Sequence, residues 1–81
     1  MNLTNAVLLY PNPATTKVNV TATESIKEIS ILTIAGKRVL NVRVDNKPSE
    51  TVPIALLPKG LYNVRVTTGS STCNNLLYIT G

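Results

Sequence analysis

The side chains of this chain that could do chemistry are few, and their spacing assembles none of them into a catalytic arrangement. The carboxylates are Glu24, Glu28, Asp45 and Glu50. They fall in or beside expected turns or on a solvent face, at no spacing that pairs two across a substrate or gathers several around calcium. Histidine is absent, which removes the usual metal ligand, the usual general base near neutral pH and every His-dependent triad. Serine and threonine are abundant, yet without a histidine or a suitably buried lysine no hydroxyl has an activating base, and they suit strands and turns instead. Gly36, Gly60, Gly69 and Gly81 are isolated and open no helix, so no phosphate cradle is expected. These residues point away from an enzyme and require no metal or cofactor. The lone Cys73 cannot staple its own chain, and three readings stand for it: a small buried hydrophobe, an intermolecular disulfide, or a reactive thiol. Asn19-Val20-Thr21 fits the minimal glycan acceptor pattern, a three-residue match that arises often by chance and suits an exposed strand equally well.

The net charge of +4 invites a polyanion as partner, since counterion release rewards clustered cations. Lys17, Lys27, Lys37, Arg38, Arg43, Lys47, Lys59 and Arg65 are instead spread over nearly every segment, which fits a solvated surface that discourages edge aggregation. Tyr62 is expected to pack inward while Tyr10 and Tyr78 lie far apart in sequence, so no stacking platform for bases is expected and nucleic acid is not an expected partner. Contact with an anionic glycolipid or membrane surface stays open.

A scaffold for these residues must be built from 81 residues, enough for one small domain whose burial only just offsets its chain entropy. At 43% hydrophobic and 15% charged, the chain is too apolar to stay disordered. Without Trp or Phe, the core falls to Ile, Leu and Val, which favour strands. Apolar positions recur at spacing two and nowhere sustain a helical face, which predicts about seven short strands. They are expected at Val7 to Tyr10, Lys17 to Thr21, Ile26 to Ile34, Lys37 to Val44, Glu50 to Ile54, Leu61 to Thr67 and Cys73 to Thr80. Leu32 beside Ile31 breaks the period, predicting a bulge or burial on both faces. Ala35-Gly36 predicts a tight turn with glycine at positive φ, and Asp45-Asn46-Lys47-Pro48-Ser49 a polar loop. Pro53 places its strand at a sheet edge or a sheet-switching corner, and Leu56 and Leu57 are expected to plug the end of the core. Pro11 and Pro13 each fix φ and remove a donor, so Tyr10-Pro11-Asn12-Pro13 reads as a rigid extended lead into the domain. The expected architecture is all-β: a small immunoglobulin-like antiparallel sandwich of two sheets. It forms a single domain over 1–81, with residues 1–6 as linker or added sequence. No apolar run reaches the ~20 residues of a membrane-spanning helix and no signal-like leader is expected; the piece is expected to be soluble, with any export signal carried by a longer parent.

Four segments in this order carry a resemblance. They are Tyr10-Pro11-Asn12-Pro13-Ala14, then Ile31 to Lys37 with its Gly36-Lys37 hairpin, then Leu57-Pro58-Lys59-Gly60-Leu61-Tyr62-Asn63-Val64, and the apolar terminal run Leu76-Leu77-Tyr78-Ile79. From Leu9 onward the chain resembles the C-terminal sorting domain of the type IX (Por) secretion system of Bacteroidetes. The resemblance implies a β-sandwich appended to Sec-exported cargo, recognised by the outer-membrane translocon and by sorting and attachment machinery. It further implies delivery through the periplasm to the outer membrane, the cell surface or the medium, with frequent removal of the domain as cargo is joined to anionic lipopolysaccharide. Cleavage would fall near or before residues Met1 to Ala6. The family usually carries lysine just before its last apolar strand, where this chain has Asn74-Asn75.

A terminal strand of this kind can be gripped by main-chain pairing, with Leu77 and Ile79 or Leu76 and Tyr78 filling pockets; equally, these four residues can simply complete the sandwich. The same edge could pair with a second copy, giving an edge-strand homodimer in isolation. The competing function is a non-catalytic adhesion, docking or carbohydrate-binding sandwich, which would need exposed aromatic platforms or calcium carboxylates that the sequence does not offer.

Overall fold

The computed structural model describes residues 7–80; the expected linker and cleavage region over residues 1–6 lie outside the described residues. Five strands follow one another: β1 (Val7–Tyr10), β2 (Lys17–Thr33), β3 (Arg38–Pro53), β4 (Gly60–Thr68) and β5 (Thr72–Ile79). The all-β expectation holds, and the strand pairings are antiparallel. The count is five rather than seven because two pairs of expected runs are continuous. Runs two and three merge into β2, and runs four and five merge into β3.

The long β2–β3 hairpin organises everything else. Its first turn-distal half, Lys17 to Thr21 against Ser49 to Pro53, carries β1 on the other side of β2. The second half, Ile26 to Leu32 against Arg38 to Lys47, carries β4 and then β5. The two halves are therefore joined by hydrogen-bonded backbone into one five-stranded sheet, where two separate sheets were expected. Register shifts bend the hairpin between them. Ala22 to Ser25 of β2 lie opposite Pro48 alone, and Val44 to Asn46 of β3 lie opposite Lys27 alone. Bulges of this kind kink a strand and strengthen its twist. The segment expected as a loop, Asp45 to Ser49, is thus strand with its turn chemistry absorbed into the bend: Asn46 sits at φ 52°, a conformation asparagine tolerates better than most residues, and Pro48 faces a bulge where no donor is missed. A further shift between Ile31 and Leu32 supplies the expected bulge, and both residues are buried.

The halves share one core. Val18, Val20, Val52 and Ile54 come from the first half, and Ile26, Ile29, Ile31, Val64, Val66, Leu77 and Ile79 from the second. Each is at most 2% exposed, and burying a side chain of this size contributes roughly 1.5–3 kcal/mol. Pro53 pairs with Lys17 on an edge, since β3 hydrogen-bonds to β2 alone among the described strands. Leu57 packs partly against the core, but Leu56 is 98% exposed and plugs nothing. The Leu57-N–H to Ile54-carbonyl turn (3.0 Å) directs Leu56 outward.

Candidate functional site

The four sequence segments singled out above meet at one end of the sheet. The β2–β3 turn is closed by the Gly36 N–H donating to the Thr33 carbonyl (2.9 Å) and the Thr33 N–H to the Lys37 carbonyl (2.8 Å). The Lys37 N–H also reaches the Thr33 hydroxyl at 3.1 Å. Gly36 has φ +96° with open space where a Cβ would stand, so glycine is needed there for backbone conformation and not for room. Thr33 pairs with Tyr62, and Tyr62 pairs with Leu77, which sets this turn beside the start of β4 and the end of β5.

The Leu57 to Tyr62 corner is fixed by two devices. Gly60 takes φ +154° as the chain enters β4. Tyr62 is buried, and its hydroxyl donates to the Pro58 carbonyl at 2.5 Å, a corner tie reminiscent of the tyrosine that pins sandwich corners a few residues upstream. Gly60, Leu61 and Tyr62 then pair in register with Ile79, Tyr78 and Leu77. A hollow of about 460 Å³ lies over this junction, lined by Lys59, Gly60, Tyr78, Ile79 and Thr80.

The Tyr10-Pro11-Asn12-Pro13-Ala14 segment does not extend as a lead into the domain. After β1 it bends, with both X–Pro peptides cis, and runs along the outer edge of β5. Asn12 spends its whole side-chain amide there: Nδ2 donates to the Leu76 carbonyl and Oδ1 accepts the Tyr78 N–H, each at 3.0 Å. Two residues on, the Ala14 N–H donates to the Tyr78 carbonyl (2.9 Å) and the Thr80 N–H to the Ala14 carbonyl (2.8 Å). Ala14 thereby forms a parallel bridge with Ile79 and is itself buried. The prolines, which cannot donate, flank an asparagine whose side chain substitutes for a peptide group. Nothing in the local sequence announced that partner, which lies more than sixty residues away by number.

This strap alters the expected use of the terminal strand. From Leu76 to Thr80 the outer edge of β5 is already hydrogen-bonded, so neither main-chain capture nor an edge-strand dimer has a free ladder there. The side chains divide cleanly. Leu77 and Ile79 are buried in the core, while Leu76 (59% exposed) and Tyr78 (50%) project from the outer face. Leu61, across from Tyr78, is 47% exposed. Beside them Asn74 Oδ1 accepts from Asn63 Nδ2 (3.1 Å) and Arg65 Nε (3.3 Å). Leu61 stands in the Leu57 to Val64 segment of the sequence but has no role of its own there, although its alternation with buried Tyr62 marks it as outward-facing. Cys73 is a half-buried free thiol packed against the core, and Asn19 of the acceptor pattern lies within the sheet, accepting from the Thr51 hydroxyl at 2.6 Å.

Fold and site together define a small all-β module whose N-terminal strap and corner converge on its last strand. The chain belongs to the secretion system C-terminal sorting domain family, which it matches over residues 8–80. No curated protein matches it. It is a C-terminal sorting signal for type IX secretion, interacting with that machinery and directing export to the cell surface or beyond.

Proposed function

We propose that the type IX machinery reads this domain through the outward side chains at the strapped end of the sheet, with Leu76, Tyr78 and Leu61 as the anchors. The cargo is Sec-exported and crosses the outer membrane through the translocon, and its later attachment to anionic lipopolysaccharide belongs to the same reading. In this scheme Asn12 and the prolines hold the last strand in register, Gly60 and Tyr62 hold the corner beneath it, and the Gly36-Lys37 turn closes the same end. The observation that carries the reading is the division of the terminal strand from Leu76 to Thr80: there its edge is occupied and Leu77 and Ile79 are buried, so the exposed Leu76 and Tyr78 are what this stretch offers a receptor. Large apolar side chains clustered on the surface of so small a domain commonly mark interaction sites.

The test is a reporter fused ahead of the chain in a host with and without the type IX translocon. Translocon-dependent reporter at the surface or in the medium is expected for the native sequence. The Leu76→Ser/Tyr78→Ser pair should leave the reporter in the periplasm while the isolated domain keeps its circular dichroism spectrum. Undiminished delivery of that folded variant would sink this assignment of the anchors, and periplasmic retention of the native fusion in both hosts would favour a docking module.

A further inference from the structure

The opposite edge of the sheet is built differently. Arg38 to Arg43 of β3 pairs with β2 on one side and with no described strand on the other. Pro48, Pro53 and the positive-φ Asn46, which blunt an edge against pairing, all lie in the second half of β3. In the first half the inward residues Val39, Leu40 and Val42 are only partly buried against the core. Val39 and Leu40 open onto a hollow of about 360 Å³ that Pro53, Ile54, Ala55, Leu56 and Leu57 also wall, with the nearly fully exposed Leu56 at its rim. Lys37, Arg38 and Arg43 are exposed along the same stretch of chain, and no acid lies between residues 37 and 44. Glu28, across from Arg43 in register, is engaged by Asn41 Nδ2 at 2.7 Å.

We infer that this edge is a second docking surface, which takes an extended acidic segment of a partner protein. The segment pairs with the backbone of Arg38 to Arg43, sets an apolar side chain into the hollow beside Leu40 and Ile54, and lays carboxylates along Lys37, Arg38 and Arg43. Strand addition at a free edge supplies affinity through main-chain bonds, and side-chain pockets supply selectivity. Charge decides the occupant. A second copy pairing through the same edge would set these cations against each other, a juxtaposition that disfavours the complex. The inference stands apart from the sorting reading, since it concerns another face and its test does not use export.

The test uses the purified chain and three seven-residue peptides: glutamate alternating with valine and leucine, the lysine counterpart, and the glutamate peptide with a central proline. Fluorescence anisotropy and amide chemical shifts should show 1:1 binding of the first alone, with shifts centred on residues 38–43. Arg38→Glu with Arg43→Glu, both at exposed positions, should weaken it at least about tenfold while circular dichroism stays unchanged. Absence of binding, shifts centred on β5, or equal binding by the proline peptide and by a short heparin fragment would overturn the inference, the last showing a mere field of positive charge. Concentration-dependent dimerisation abolished by the same double variant would overturn it in favour of self-pairing.

Discussion

The β3 and β5 edges of this sheet both carry apolar inward residues and differ in what covers them. β5 is closed along Leu76 to Thr80 by the Pro-Asn-Pro strap, and beneath that cover Leu77 and Ile79 are buried. β5 is itself an internal control, because upstream of the strap its inward residues Cys73 and Asn75 are only partly buried. Along β3 no strap exists among the described residues, and Leu40 and Val42, which share rows with Ile31 and Ile29 of the core, remain partly exposed. Along Arg38 to Arg43 and Thr72 to Asn75 the inward residues of an uncovered edge are thus only partly buried, while Val44 and Val52 farther along β3 are buried without a strap, so edge coverage is one contribution to burial beside the bend that folds the second half of β3 over the core. A sorting signal that buries its terminal strand under its own N-terminal segment gives a receptor a rigid outer face, while the open edge keeps backbone and core side chains accessible.

The largest expected difference is in core truncation. Leu77→Ala removes a wholly buried side chain and should cost about 2–5 kcal/mol, enough to unfold much of a domain whose total stability is of order 0.05–0.15 kcal/mol per residue. Leu40→Ala, at the open edge, should cost about half as much, because part of that side chain already meets water. Urea denaturation of the two variants measures the contrast, and equal losses would show that the β3 edge is as closed as the β5 edge.

The strap comes next. Asn12→Ala leaves the Leu76 carbonyl and the Tyr78 N–H without their partner, and loss of two hydrogen bonds of this kind should cost about 1–2 kcal/mol. Amide hydrogen exchange resolves where the loss falls: Tyr78 and Thr80 should exchange faster, with Val64 and Val66 at the centre of the sheet little changed. Uniform acceleration would mean that the strap supports the whole fold and not one edge.

Much of this architecture was legible because strand alternation is a local property. The strand runs Lys17 to Thr21 and Leu61 to Thr67, the inward Tyr62 and the Gly36 turn all read correctly from spacing and residue type, and Pro53 announced an edge. The merging of strands across Asp45 to Ser49 was hidden because a bulge uses the same polar, proline-bearing residues as a loop, and only the partner strand distinguishes them. The destination of Asn12 was hidden for a related reason: the prolines exclude a regular ladder, but they do not say which distant backbone the asparagine side chain will serve. Leu56 misled because an apolar residue just after a core strand is ordinarily buried, and here a tight turn points it outward. The family resemblance placed the motifs in order, and the pairing of Tyr62 with Leu77 put them together in space.

Asn75 offers a stabilising test of the uncovered half of β5. It lies in the inward row with Val64 and Leu40, and its Oδ1 is buried without a hydrogen-bond partner. Removing such an unsatisfied oxygen recovers its desolvation cost, so Asn75→Val, which also favours a strand, should raise stability by about 1 kcal/mol in thermal or urea unfolding. A loss of stability would show that the amide is engaged in solution and that this part of the edge is more ordered than its exposure suggests.

The smallest expected effect on folding is the sharpest on the open edge. Leu56 is almost wholly exposed, so Leu56→Ser should shift unfolding by less than about 0.5 kcal/mol. At the same time it removes apolar surface from the rim of the hollow beside Leu40 and Ile54, and binding of the acidic peptide should weaken about three- to tenfold through the lost contact area. Stability and affinity are thus expected to separate at this residue, whereas at Leu77 a single truncation compromises the fold that any binding requires. If Leu56→Ser left peptide affinity untouched, the hollow would lie outside the contact and the open edge would act through its backbone and its cations alone.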